Sequence, residues 1–407
     1  MRKITFVLCL LAVLFAQAQY TGPGYYRVRN AKTKCYISIK GTKYIATTNP
    51  DAFWSCVLMQ NDPAQVSDPG SIIYIPGMEE TSLYSQGVST YSLTHMTLTV
   101  DTAKVNEGGK ISYVATTLHN GLTFYFRDYG LGFTAGTIEM KESRWWIEPV
   151  SMESIETSYF GLNPVNATAE SDNAEYWATL CCDFPCLIPE GGGIEGAYTV
   201  TQVFYAQDSI AKVKPIKRYG QGDTIPAAMP VMIKCTSPNI ADNKLVPTGE
   251  LANRTQMPIT SDLLTGNYFS SFINHISLSD KTVMGEYVPT QSSPACGTYL
   301  ALGIDENGTI GFFPKEDGTY MDANTAWLDI SSTDMDGVKA VYFIVNGDGN
   351  GDGKCDMSDL TILINYLLGS STEPSRGPIN LVGLDMNNNN VVDMTDLALL
   401  INHLLNG

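Results

Sequence analysis

The sequence predicts a mainly β protein that ends in a small α-helical domain. Two observations predict it. Across residues 19–345, aromatic and β-branched residues alternate with polar ones, and Gly, Asn and Asp break the pattern about every ten residues, as in half-buried strands. After residue 346 the apolar spacing changes to threes and fours, the period of an amphipathic helix. A chain of 407 residues has room for two or three domains with ample core. The divisions read 1–18, 19–150, 151–345 and 346–407.

The first division, "MRKITFVLCLLAVLFAQA", has basic Arg2 and Lys3, an apolar run from Ile4 to Phe15 and a small-residue A-x-A end. That is the pattern of a secretory signal peptide, with Gln19 beginning the mature chain, so the expected location is secreted or cell-surface. No later stretch approaches the roughly 18 apolar residues of a membrane span.

In the second division "GYYRVRNAKTKCYISIKG" reads as strand, turn, strand, "GLTFYFRDYGLGFTAG" does the same, and "SRWWIEPV" closes the region. The opening segment and the Trp-bearing closures "FWSCVL" and "RWWIEPV" resemble β-trefoil lectin modules. In the third division the strands include "YWATLCCDFPCLIPE", "AYTVTQVFYA", "TIPAAMPVMIKC" and "IGFFPKEDGTYMDANTAWLDI". Ile188-Pro189-Glu190-Gly191, Ile225-Pro226-Ala227 and Pro230-Val231 resemble the turns of a β-sandwich-like module of large exported bacterial proteins. The resemblance implies no catalytic function.

Charge and cysteines narrow the function. The chain carries 25 basic and 42 acidic residues, net −17; without residues 1–18 the balance is 23 to 42, or −19. Such a surface repels nucleic acid and anionic membranes and favours cations or basic partners. Eight cysteines follow the leader: Cys35, Cys56, Cys181, Cys182, Cys186, Cys235, Cys296 and Cys355. "CCDFPC" has neither C-x-x-C nor zinc spacing, which reads as strand cysteines, buried or locally bridged.

The fourth division holds the strongest signal. "DGNGDGKCDMSDLTILINYLLG", from Asp348, and "DMNNNNVVDMTDLALLINHLLN", from Asp385, agree at 11 of 22 positions. Carboxylates crowded into one short loop repel unless a cation sits among them. In the first loop Asp348, Asn350, Asp352, Asp356 and Asp359 fall at positions 1, 3, 5, 9 and 12, with Gly353 at the sharp turn and Lys354 offering its carbonyl. That is the spacing of a calcium loop. The second repeats it with Asp385, Asn387, Asn389, Val391 through its carbonyl, Asp393 and Asp396, so two Ca²⁺ sites are expected. Asn390 replaces the turn glycine, since Asn visits the left-handed region readily. Cys355 and Val392 at position 8 turn inward. Each loop then leads into a helix, Leu360 to Leu368 and Leu397 to Leu405, and a strand rather than a helix precedes the first loop.

Loop then helix, twice, resembles the type I dockerin. The resemblance implies a cohesin module as partner and a place in a polysaccharide-degrading assembly. It also implies that positions 10 and 11 touch the partner, here Met357-Ser358 and Met394-Thr395. Ser and Thr would equally serve as helix caps, but capping does not call for Met in both copies. Ile364-Asn365 and Ile401-Asn402 repeat too, extending that face or packing the helices together.

The function expected is a calcium-binding component that docks through a cohesin-type module, with upstream β-modules binding glycan or protein. The alternative is a glycoside hydrolase or other carbohydrate-active enzyme, which needs two carboxylates across a sugar. Glu79-Glu80, Glu139, Glu142, Glu148 and Glu175 lack a recognisable context, and His95, His119, His275 and His403 stand singly. No G-x-S-x-G, H-E-x-x-H or phosphate loop occurs, and no catalytic residue is assigned.

Overall fold

The computed structural model describes residues 20–39, 57–60, 66–85, 88–89, 96–101, 111–128, 133–152, 159–166, 175–207, 209–249, 259–266, 268, 271–272, 299–315, 320–330, 338–351, 353–369, 379–389 and 391–406. The expected leader, the "FWSC" closure, Cys56, Cys296, His95, His275, Asp352 and Asn390 lie outside these residues. The described chain is mainly β, and its α-helices cluster at the C-terminus. Among the described residues no helix is long and apolar enough to cross a membrane.

Strand Gly24–Asn30 pairs antiparallel with Arg144–Pro149 on one side and Ile73–Ile75 on the other. From Ile73–Ile75 the pairing passes to Tyr84–Ser85, across the Thr81–Met96 bridge to Met96–Val100, then to Tyr113–His119, and so back to Arg144–Pro149. The strands therefore close on themselves. Three hairpins extend from this ring, at Tyr36–Ile39 with Val57–Gln60, Tyr84–Ser85 with Val88–Ser89, and Leu122–Asp128 with Phe133–Gly136. Alternation decides what fills it: Val28 and its partner Ile147 are buried with Tyr26, Ile73, Leu83, Met96, Ala115 and Trp145 in one core. Trp146, one residue out of phase, turns the other way and is covered by the Lys34 ammonium, 4.0 Å from its ring centre.

A second sheet runs through Tyr176–Leu180, Val231–Cys235, Ile194–Gln207 and Ile210–Gly220, and continues to Ala340–Phe343, Ile310–Pro314, Tyr299–Ile304 and Ala326–Asp329. Its two halves share a core: Trp177, Val200, Val213 and Met232 from the first meet Leu300, Phe312, Leu328 and Val341 from the second. A smaller sheet of Phe160–Gly161, Lys244–Pro247, Cys186–Leu187 and Thr224–Ile225 contributes to another core, with Phe160, Cys186, Ile225 and Leu245 against Ala178, Ala197 and Ile233. The two β regions meet through Tyr25 and Phe184, ring centres 5.2 Å apart. Buried Arg27 joins them too, donating to Ser71 Oγ at 3.0 Å and to Tyr159 O at 2.6 Å. Among the described strand pairs one is parallel, Ile210–Gly220 with Ala340–Phe343, and it delivers the chain to the C-terminal loops.

The six described cysteines are free thiols. Cys182 Sγ and Cys186 Sγ lie 3.5 Å apart, and burial raises the Cys186 thiol pKa well above its usual value.

Candidate metal centre

Among the described residues three helices build the C-terminal unit: α1 (Met357–Leu367), α2 (Leu381–Leu384) and α3 (Met394–Asn406). The two long helices begin three residues earlier than their apolar stripes predict. The reason lies in the loops. Asp356 Oδ1 accepts from Ser358 N at 2.7 Å while Asp359 Oδ2 accepts from Asp356 N at 2.8 Å, a reciprocal cap for amides that lack helical partners. Asp393 and Asp396 repeat it, accepting from Thr395 N at 2.7 Å and Asp393 N at 2.9 Å. The aspartates are thus the caps, and the hydroxyls of Ser358 and Thr395 bond back to Asp356 and Asp393, Ser358 Oγ also accepting from Asn350 Nδ2 at 3.1 Å. Helix α2, which the sequence does not announce, is capped by the Asn380 side chain, and a Cβ on its Gly383 would strike the Asp348 carbonyl. Leu363, Leu384 and Leu400, one from each helix, form the fully buried centre, with Cys355 and Val392 packed inward on it.

Around this centre the two loops repeat one another. Asp359 Oδ1 accepts from Gly349 N at 2.9 Å and Asn350 N at 3.1 Å; in the second loop Asp396 Oδ1 accepts from Asn387 N at 3.2 Å. Asp348 takes amides from Gly351 at 2.6 Å and Gly353 at 2.9 Å, and Asp385 takes that of Asn389 at 3.1 Å. Gly353 has the left-handed φ of 85° that its turn predicts. Position 4 is left-handed as well, Gly351 at 75° and Asn388 at 60°, and the residue types found there, Gly and Asn, are the ones that enter this region most readily.

The electrostatics are uneven. Asp348 is 1% exposed, Asp385 7%, and Asp359 and Asp396 are fully buried. Burial pushes Asp348 above the usual carboxylate pKa, against the Gly353 and Gly351 amides. The Ser358 hydroxyl and amide hold Asp356 below its usual value, and the Thr395 amide and hydroxyl do the same for Asp393. Buried carboxylates beside exposed acids and amide oxygens form an all-oxygen donor set that fits a hard divalent cation. Among the described residues no three His, Cys, Asp or Glu side chains form a metal cluster. The loop pattern counts Asn and carbonyl oxygens as well, and Asp352 is outside those residues.

Met357 and Met394 are both 66% exposed, and Ser358 and Thr395 are exposed beside them. Each heads a stripe at equal offsets, Met357-Thr361-Ile364-Leu368 and Met394-Ala398-Ile401-Leu405, every residue of which is exposed. Ile364 and Ile401 therefore extend that face instead of packing the helices together. Leu368 and Leu405, 74% and 78% exposed, belong to it and were not foreseen.

The upstream acids lie elsewhere. Glu79 and Glu80 are exposed, Glu142 pairs with Lys32, Glu139 with Arg144, and Glu148 accepts from Tyr36 Oη at 3.1 Å. Glu175 and Glu195 bracket the Lys234 ammonium at 3.3 and 3.4 Å. Burial would lower the pKa of Lys234, but the two carboxylates outweigh it and hold the ammonium above its usual value.

The family model of the dockerin type I domain matches residues 346–405. No curated protein and no solved structure matches the chain.

Proposed function

We propose that the chain is an exported, calcium-binding component that docks through residues 346–405 onto a cohesin-type module. The observation that supports this best is the two-fold repetition: the same caps, the same buried carboxylates and the same exposed stripe occur 37 residues apart, within the span that matches the dockerin type I domain. Asp348, Asn350, Asp352, Asp356 and Asp359, with the Lys354 carbonyl, hold one calcium. Asp385, Asn387, Asn389, Asp393 and Asp396, with the Val391 carbonyl, hold the other. Bound calcium supplies the positive charge that lets buried carboxylates stay ionised without mutual repulsion.

The chain's own residues do the rest. Asp359 and Asp396 start α1 and α3 at fixed points, so the stripes headed by Met357-Ser358 and Met394-Thr395 stand ready for an apolar partner surface rimmed by hydrogen-bonding groups. Upstream, the closed ring with three hairpins supports a β-trefoil-like unit over 19–150, and the shared cores of the second region support a sandwich-like unit over 151–345. Glycan or protein is the ligand class for these modules, and polysaccharide breakdown is the setting. The leader pattern of residues 1–18 directs the chain out of the cell.

Immobilised full-length chain tests this against a type I cohesin module, with calcium or with EGTA. Binding in calcium that disappears in EGTA is expected. Absence of binding in calcium, or equal binding in EGTA, overturns the reading.

A further inference from the structure

The C-terminal unit does not hang from a tether. Strand Ile210–Gly220 alternates, so Ala211 and Val213 enter the core while Lys212 and Lys214 leave from the other face, about 7 Å apart along the strand. The same strand pairs in parallel with Ala340–Phe343, Val213 opposite Phe343, and Val213 O accepts from Ile344 N at 2.7 Å. Four residues later the first loop begins at Asp348. The loops then fold back onto the two lysines. Lys212 Nζ donates to Gly351 O at 3.1 Å, in the first loop. Lys214 Nζ donates to Val382 O at 2.8 Å and to Asp385 O, where α2 ends and the second loop begins.

Lys214 is 7% exposed. A lysine ammonium is rarely buried so far unless acceptors replace its water, and here the backbone carbonyls of Val382 and Asp385 in the C-terminal unit do so. On a strand with period two, residues i and i+2 are the closest pair sharing a face, so this spacing lets one strand serve two loops related by an internal repeat. The charge is complementary as well, two cations against two acidic loops of an acidic chain.

We propose that Lys212 and Lys214 form an internal docking surface that fixes the C-terminal helical unit to the second β region, one lysine to each acidic loop. The unit is then carried in one orientation, with Met357 and Met394 left uncovered for a partner. The lysines meet carbonyl oxygens and supply no calcium ligand, so the dock is read by exchange with calcium present throughout and the calcium sites are read by titration, and either can fail while the other stands.

Hydrogen exchange of the full-length chain, read by mass spectrometry, tests the dock with Lys212→Ala/Lys214→Met against the unsubstituted chain. Exchange at 346–351 and 380–386 is expected to quicken by roughly tenfold or more, the loss of at least one charge-assisted hydrogen bond. Protection of Trp145–Ile147 and Val231–Cys235 stays as it was. Unchanged exchange in both loops with that core protection intact overturns the proposal. Should the double variant lose core protection, Lys212→Gln alone decides: faster exchange at 346–351 with 380–386 unchanged supports the dock, and equal rates at 346–351 overturn it.

Discussion

Asp359 and Asp396 each do two jobs with one carboxylate. Each closes the reciprocal cap of its helix and gathers loop amides, Asp359 three in all and Asp396 two, while fully buried. Replacing Asp359 by Asn keeps the size but sets an amide donor against one of those amide donors, which costs about 1–2 kcal/mol of local stability. Calorimetric calcium titration of Asp359→Asn should therefore lose or weaken one of two binding events and leave the other. Two unaltered events would remove Asp359 from the site. A companion comparison concerns strength. The first loop offers four carboxylates and a turn glycine, the second three and Asn390, and ligand charge tunes affinity. Asp385→Ala should then spare the tighter calcium site and Asp348→Ala should remove it; the reverse order refutes the ranking. The two loops and their capping aspartates were legible because acidic and amide residues recur there at fixed offsets in sequence. Lys214 was not legible, since a lysine in a strand looks like any solvated alternation until the fold covers it.

At the scale of elements, α1 and α3 are short helices, 11 and 13 residues, of a length that is marginal in water without packing. Their shared centre is three buried leucines, and the buried carboxylates beside it repel when no cation is present. Chelation should therefore remove helical signal from the chain's circular dichroism while the β signal persists, because the strand cores contain none of these loops. A far-ultraviolet spectrum unchanged by excess EGTA would show that the helices hold without calcium. The helices were readable from their 3.6-residue stripes, but their true starts were hidden. Apolar periodicity reports only the packed face, and the first turn of each helix is exposed and capped by a loop aspartate. Local hairpins were readable for a related reason: turn residues interrupt the alternation between Gly24–Asn30 and Tyr36–Ile39 and between Leu122–Asp128 and Phe133–Gly136, and each pair of strands meets. The turn at Asn120-Gly121, with φ of 50° and 74°, went unread although it fits the same rule. The closure of Gly24–Asn30 on Arg144–Pro149 and the parallel pair at Ile210–Gly220 join residues more than a hundred positions apart. No local pattern encodes those registers, which are set by which buried faces meet.

For the whole molecule the repeat poses a question of docking: one face or two. The stripes headed by Met357-Ser358 and Met394-Thr395 have matching offsets and matching exposure, so a half-turn that exchanges α1 and α3 presents a partner with nearly the same surface. If both orientations bind, replacing Met357-Ser358 with charged residues blocks one and leaves the other. The cost is only about RT ln 2, roughly 0.4 kcal/mol, a two-fold change in affinity. The same holds for Met394-Thr395 alone. Replacing both pairs forces the partner to desolvate charge in every pose and should cost several kcal/mol, on the order of a hundredfold or more. Neither position supplies a side-chain oxygen to calcium in this loop pattern, so both calcium binding events should persist in all three variants, weakened only by loss of the Ser358 or Thr395 hydroxyl from Asp356 or Asp393, which separates lost docking from lost folding. Measured affinities for a type I cohesin module decide it. If either single replacement abolishes binding while calcium affinity is intact, one orientation alone is used, and the symmetry of the two stripes is a relic of the repeat rather than a working device.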